Sequence, residues 1–227
     1  MSAMVRTPAR PAGSVGPVTY GVQITTPPTP GQQAAIDDAH AFLEKACNWQ
    51  DAPAYTICRP RDGRAWASQT AGGVDPQTNT YRPAIAMTGV WDNIPGNEGD
   101  PAKKWSLKGD QQQAAKTHVH ELGHLMEFKK TGVREAAQFF LYYRTQGETP
   151  AKLNAIHPSS GYGDDEIGMK DRFDTAFSGN SYYVGKVYQS GDTEIVSMGL
   201  EKMHADPVGF ANADPEYFDF MVGVMLS

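Results

Sequence analysis

The chain has 227 residues, 40% of them hydrophobic and 20% charged, and a formal net charge of −6. This length and composition fit a globular protein with a sizeable core, and the acidic balance argues against binding nucleic acid through a basic surface. We find neither an apolar stretch long enough to span a membrane nor the apolar segment of a secretory signal. We therefore expect no nucleic-acid or membrane partner, a cytoplasmic location, and reduced thiols at Cys47 and Cys58.

Proline is concentrated at the start of the chain, and proline-rich segments favour extended backbone over helix. We predict that residues 1–16 form an extended arm and that residues 17–227 form a single domain. Hydrophobic periodicity divides that domain in two. Residues 17–109 are predicted to hold mostly strands plus one helix, and residues 110–227 to be mostly helical.

Local signals place the elements of the first part. Alternating apolar residues predict a strand over 18–24, and apolar residues at helical spacing predict a helix over 30–49 in which His40 is a surface or packing residue. An Arg-Asp-Gly turn between apolar runs predicts a hairpin over 54–68. A further apolar run predicts a strand over 83–90.

The functional interpretation depends on the motif His120-Glu121-x-x-His124. Residues four apart lie on one face of a helix, so both imidazoles can contact a single metal ion. Glu121 lies about 100° further round the helix and can reach a water on that metal. Two imidazoles suit zinc, which lowers the pKa of the water so that a carboxylate can take its proton. This chemistry predicts hydrolysis of a peptide bond.

Flanking signals support a helix at the motif. Asp110 and Gln113 match a capping box that predicts the start of the helix, and Gly132 predicts its end. His118, two residues before His120, is expected to point away from the metal, either behind the ligands or toward solvent.

Beyond the motif, helical periodicity predicts a helix over 133–143 and one more turn within 150–157, followed by a loop over 158–166. Asp214-Pro215 predicts the cap of a final core helix. With the strands of the first part, these elements predict an α+β fold.

A catalytic zinc site needs a third protein ligand. Lys130 occupies the position where a third histidine would complete one common arrangement. Glu148 lies at a suitable distance along the chain but in a poor helix context. Glu194 is the better candidate, in the first turn of a helix predicted to begin at residue 192 or 193, where its other interpretation is a capping acid. Glu201 is the second candidate, although a solvated charge is the favoured interpretation there.

The segment from Tyr182 to Met203 resembles the end of the anthrax lethal factor-like gluzincins, a group of zincin metallopeptidases. In that family HExxH is followed by a tyrosine shortly upstream of a helical glutamate, with an apolar helix after it. The resemblance extends over roughly residues 115–225 and is specific at HExxH and at the tyrosine and glutamate pair.

The resemblance implies a zincin-like fold, with a small mixed or antiparallel sheet packed on the HExxH helix, and Zn²⁺ as the cofactor. It implies that Glu194 is the third ligand, that Tyr188 or Tyr183 stabilises the oxyanion, and that a peptide or protein is the substrate. In zincins an exposed strand edge beside the helix holds the substrate in extended form, so the strand before the motif is of functional interest.

The C-terminal run from Thr193 to Phe220 also resembles the ends of bacteriophage head-morphogenesis proteins. This resemblance implies a phage or prophage origin and a second hypothesis, a virion structural protein that keeps a zincin fold without proteolytic use. The N-terminal arm would then contact other phage-particle proteins, and the protein would be virion-associated. The intact Glu121 argues for retained chemistry, because a purely structural zinc site does not need a base.

Overall fold

The computed structural model describes residues 23–24, 30–49, 52–58, 65–72, 74–75, 79–86, 107–159, 161–170 and 181–227. The helices are α1 (Pro30–Ala46), α2 (Leu107–Lys129), α3 (Val133–Arg144), α4 (Leu153–Ile156), α5 (Ser181–Val184), α6 (Ile195–Ala205), α7 (Pro207–Ala213) and α8 (Pro215–Leu226). The strands are β1 (Gln23–Ile24), β2 (Thr56–Cys58), β3 (Trp66–Ser68), β4 (Val74–Asp75), β5 (Thr80–Tyr81), β6 (Ala84–Ala86), β7 (Ala151–Lys152), β8 (Ile167–Met169) and β9 (Gly185–Val187). The fold is α+β, as predicted.

Helix α2 lies at the centre of the core, with α1 and α6 packed against it. Small residues on the two helices, Ala114 and Ala115 on α2 and Ala35 and Ala39 on α1, are buried and allow close approach of the backbones. Every residue from 118 to 127 is buried, which includes the whole HExxH motif. The HExxH motif is therefore held inside the packed core, where its side chains have little conformational freedom.

A four-stranded mixed sheet, in the order β1-β2-β6-β3, packs near the motif helix. The predicted hairpin over 54–68 is wrong, because β2 and β3 do not pair with each other. Strand β6 lies between them, parallel to β2 and antiparallel to β3. All three residues of β6 are buried, and a strand that is apolar on both faces is favoured at the centre of a sheet.

The second part of the chain is mostly helical, as predicted, but it also contains a three-stranded antiparallel sheet in the order β7-β8-β9. This sheet was missed because its strands have two or three residues, too few for a period-two pattern. The predicted helix over 133–143 and the turn within 150–157 are confirmed as α3 and α4.

Helix ends follow the sequence signals in part. Gly132 adopts the left-handed conformation, with φ of 80°, between α2 and α3, as a helix stop requires. Helix α2 begins at Leu107 rather than after Asp110, so the predicted capping box is wrong. A cap contributes only about 1 kcal/mol, which helix propagation into the preceding turn can outweigh.

The last two helices have the same type of N-terminal cap. The Asp214 carboxylate accepts a hydrogen bond from the Tyr217 backbone N–H at 3.1 Å, as the Asp-Pro pair predicted. Asp206 does the same for Gly209 at 2.9 Å at the start of α7, an element that sequence reasoning missed although it carries the same Asp-Pro signal. The Tyr217 hydroxyl also donates to the Ile195 carbonyl, which ties α8 to the start of α6.

Some predictions lie outside the described residues. They include the arm over residues 1–16, most of the strand predicted over 18–24 and the end of the strand predicted over 83–90. None of the helices in the described part of the chain combines the length and apolarity needed to cross a bilayer.

Candidate metal centre

Three side chains from two distant parts of the chain converge on one point. The Nε2 atoms of His120 and His124 both lie 3.2 Å from Oε2 of Glu194. Glu194 is fully buried and the histidines are at most 9% exposed. Within the described residues, these three form the group whose ligand atoms are close enough to hold one metal ion.

The donor set fits a metal ion. Ligand atoms about 2.05 Å from a tetrahedral ion are roughly 3.3 Å apart, close to the separations between Glu194 and the two imidazoles. Two neutral imidazole nitrogens and a carboxylate oxygen are also the donor types that zinc accepts. The site could therefore bind a metal without large rearrangement.

Helix α6 approaches the motif closely at Gly123, one of the three residues between the histidines. A Cβ atom on Gly123 would lie 2.5 Å from the Cα of Ser197, much closer than side-chain atoms pack. The glycine therefore lets the start of α6 lie directly on α2, which brings Glu194 to the histidines. Sequence reasoning did not single out Gly123, although a glycine inside a buried helix is a signal of close backbone approach.

Glu194 lies at the N-cap of α6, one position before the helix, rather than in its first turn as predicted. Its side chain makes no capping hydrogen bond, so the alternative interpretation as a capping acid is wrong. Instead, Oε2 accepts a hydrogen bond from the Ser197 hydroxyl at 2.7 Å, and Oε1 accepts one from the Tyr188 hydroxyl. These bonds hold the carboxylate toward the two imidazoles.

The other ring nitrogen of His120 contacts Glu201. Its Nδ1 lies 3.2 Å from Oε2 of Glu201, and Oε1 of Glu201 lies 2.7 Å from Nζ of Lys116. Glu201 is therefore neither a third ligand nor a solvated charge, the two interpretations considered from sequence. It orients the ring so that Nε2 faces Glu194, an arrangement common around metal-binding histidines. Glu148, the other acidic candidate, lies in the turn after α3 and is not in the group.

The electrostatics of the cluster oppose the effect of burial. Burial lowers the pKa of His120 and His124, but hydrogen bonds and attraction to Glu194, with Glu201 added at His120, raise both pKa values above the usual one. Burial raises the pKa of Glu194, yet attraction to His124 and hydrogen bonds from both rings hold it well below its usual value. Glu194 is therefore ionised in the core, as a metal ligand must be.

Glu121 is placed differently from the carboxylate of Glu194. It is 4% exposed, and its Oε2 has no hydrogen-bond partner within the described part of the chain. Burial raises its pKa, while the nearby His120 and His124 oppose the shift. A buried carboxylate with an uncommitted oxygen beside a metal-binding group is suited to accept a proton.

The side chains of His120, His124 and Glu194 line a cleft of about 400 Å³. Its lining includes Ala65 and the first two residues of β3, and also Tyr183, Lys186, Tyr188 and Asp192. Strand β3 is the last strand in its sheet among the described residues, whereas β6, the strand that precedes the motif, lies inside the sheet. The edge beside the motif helix is thus β3 and not the strand predicted from sequence order.

Both tyrosines predicted for the site lie in the cleft wall. The Tyr183 ring stacks on the His120 ring, with 6.2 Å between centroids, and the Tyr188 hydroxyl reaches Glu194. Burial and the charge of Glu194 raise the pKa of both phenols, so both remain protonated hydrogen-bond donors. Lys186 lies 4.4 Å from the centroid of the Tyr188 ring and forms an ion pair with Glu166 at 2.6 Å.

His118 points away from the metal-binding group, as predicted, but it is completely buried rather than exposed to solvent. Its Nε2 lies 2.9 Å from the Tyr55 hydroxyl, which in turn lies 2.5 Å from Nε2 of His40. This chain of three side chains connects α1, the segment before β2, and α2. Sequence reasoning did not pair them because they are far apart along the chain.

The structure adds a second buried acid on α2. Glu127 is 1% exposed, and its carboxylate accepts hydrogen bonds from the backbone N–H and the hydroxyl of Thr193. Cys47 is a free thiol whose pKa burial raises to about 12, consistent with the predicted reduced state. The side chain of Cys58 is not among those described.

Comparison of the chain with protein-family models, with curated proteins and with solved structures finds no match. The fold and the site define an α+β protein with a buried His-His-Glu group that could bind a metal, two members of which lie on one helix.

Proposed function

We propose that this chain is a zinc metallopeptidase of the gluzincin type. The observation that supports the proposal best is the convergence of His120, His124 and Glu194 at the base of a cleft, beside the uncommitted carboxylate of Glu121. Two histidines and one glutamate are the donor set of catalytic zinc in thermolysin-type enzymes, and they leave a position open for water or substrate. A purely structural zinc site is closed by four protein ligands.

The two histidines and Glu194 would hold the zinc, which supplies an activated water and polarises the scissile carbonyl. Glu121 accepts the proton of the attacking water and passes it to the leaving amine. Its Oε2, which has no hydrogen-bond partner among the described residues, is available to accept that proton.

The oxyanion is stabilised by a tyrosine hydroxyl from the cleft wall. Tyr188 is the first candidate, because its hydroxyl already donates to Glu194 and can exchange that acceptor for a substrate oxygen. Tyr183, stacked on His120, is the second. Replacement of the correct tyrosine by phenylalanine should lower kcat roughly 10²- to 10³-fold without changing zinc content.

A peptide substrate would lie in the cleft in extended form, paired with the edge of β3. The position of β3 at the end of its sheet among the described strands, lining the same cleft as Glu121, supports this orientation. Backbone pairing supplies affinity, and side chains that face the cleft supply selectivity.

The deciding experiment measures zinc content and cleavage of unstructured peptides for the wild type and for Glu121→Gln. We expect about one zinc per chain in both and a 10²- to 10⁴-fold loss of cleavage in the variant. Glu135→Gln, an exposed glutamate on α3, is the matched control and should retain full activity. Unchanged cleavage by Glu121→Gln would refute the mechanism, and a wild type without zinc would refute the metal site.

A further inference from the structure

Glu127 is a buried acid that the proposed mechanism does not use. It lies three residues after His124 on α2, at 1% exposure, directly after the buried apolar residues Leu125 and Met126. A carboxylate in such a place is unfavourable unless its oxygens are hydrogen-bonded. The role of such a residue can be inferred from the groups that donate hydrogen bonds to its carboxylate oxygens.

Both carboxylate oxygens of Glu127 accept hydrogen bonds from Thr193. Oε1 of Glu127 accepts a hydrogen bond from the Thr193 backbone N–H at 2.7 Å, and Oε2 accepts one from the Thr193 hydroxyl at 3.0 Å. Thr193 is itself 1% exposed. The carboxylate therefore fixes both the backbone and the side chain of Thr193 relative to α2.

Thr193 immediately precedes the candidate ligand Glu194. Its Oγ1 also accepts a hydrogen bond from the Ile195 backbone N–H at 3.1 Å, so Thr193 does the capping that an acid at the N-cap would otherwise do. Glu194 makes no capping bond, and its side chain points instead at the two histidines. Hydrogen bonds that run from Glu127 through Thr193 to the Ile195 N–H thus fix the backbone on both sides of Glu194.

We propose that Glu127 is a positioning residue, which anchors Thr193 to α2 and thereby sets the distance between the Glu194 carboxylate and the two histidines. The anchor and His124 lie about one turn apart on the same rigid helix, so ligand and anchor cannot move independently. The inference rests on the proposed function, because it concerns the affinity of the same site for zinc.

The test measures the zinc dissociation constant by competition with a chelator, together with thermal unfolding of the zinc-free protein. Glu127→Gln should weaken zinc binding 10- to 100-fold, the effect of losing an outer partner of a metal ligand. Thr193→Val loses the hydroxyl alone and should weaken it less, by about tenfold. Thr193→Ser keeps both hydrogen bonds to Glu127 and should retain nearly wild-type affinity for zinc. Glu135→Gln is the control for the loss of one negative charge on a helix.

Equal zinc affinity in the wild type, Glu127→Gln and Thr193→Val, with only the unfolding temperature lowered, would overturn the inference and leave the proposed function intact. If Glu127→Gln does not fold, the ratio between Thr193→Val and Thr193→Ser decides in its place. A wild type that binds no zinc would overturn the proposed function and this inference together, an outcome that the variants are not needed to recognise.

Discussion

Two pairs of buried histidines lie in the core, three of the four on helix α2 and His40 on α1, and their surroundings shift their pKa values in opposite directions. His120 and His124 contact Glu194, and their pKa values are raised. His40 and His118 share the hydroxyl of Tyr55, and burial lowers the pKa of His40 to about 4 and that of His118 well below its usual value. Histidines that are buried to a similar degree in one core thus have pKa values shifted in opposite directions.

The difference comes from the partner rather than from burial. A carboxylate compensates an imidazolium and directs the ring nitrogens, whereas a phenol leaves the desolvation of a charged ring uncompensated. His120 and His124 can therefore bind a cation together with the carboxylate of Glu194. The second pair is suited to a neutral hydrogen-bonded link between α1 and α2. Four substitutions test this contrast, and they follow from the largest expected effect to the smallest.

Glu194→Ala should leave His120 and His124 without their shared carboxylate partner, as His40 and His118 are. The variant loses both a ligand and the negative charge that attracts a cation to His120 and His124, so zinc affinity should fall more than about 100-fold, beyond the loss typical of outer partners. Chelator competition measures the change, and Glu148→Ala, the acid excluded by its position, is the control. Retention of stoichiometric zinc at wild-type affinity would remove Glu194 from the ligand set.

His40→Gln should reveal the electrostatics of the second pair. The pKa of His40 is about 4 in the folded chain and near 6.5 when unfolded, so the unfolded state takes up the proton first as pH falls. The free energy of unfolding should therefore decline between pH 6.5 and pH 4, by about 3 kcal/mol for this group. Glutamine cannot titrate, and denaturant titrations at pH 7 and pH 4.5 should show a shallower decline in the variant. An equal decline in both proteins would contradict the assignment.

Gly123→Ala tests the close approach of α6 to α2 on which the first pair depends. The added Cβ would lie 2.5 Å from the Cα of Ser197, so the helices must separate, at a cost of about 1–3 kcal/mol. Gly223→Ala on α8, where a Cβ meets nothing within 4 Å, is the matched control and should be neutral or slightly stabilising. If both variants unfold at the same denaturant concentration, the contact is not tight.

Glu201→Gln should have the smallest effect. The amide oxygen can still accept a hydrogen bond from Nδ1 of His120, but its charge and the ion pair with Lys116 are lost. We expect zinc affinity to fall roughly tenfold, the low end for outer partners of a metal ligand. An unchanged dissociation constant would show that the His120 ring is held by packing alone.

Local patterns predicted the parts of the site that lie close together in sequence. The spacing of His120 and His124, the position of Glu121 and the helix that carries them follow from the periodicity of an α-helix, and the Asp214 cap follows from the chemistry of one turn. The same patterns could not place the strands. The turn signal near residue 62 predicted a hairpin, but pairing depends on which strand is apolar on both faces, and β6 takes the central position.

By itself, the sequence determined two of the candidate ligands, His120 and His124, and the helix on which they lie, because those depend on spacing within one element. Only the tertiary structure decided that Glu194 faces both histidines, that Glu201 orients His120 and that Glu127 holds Thr193. Each of these contacts joins residues more than 60 positions apart. They depend on how closely α6 packs against α2, and that close approach is possible because Gly123 has no side chain.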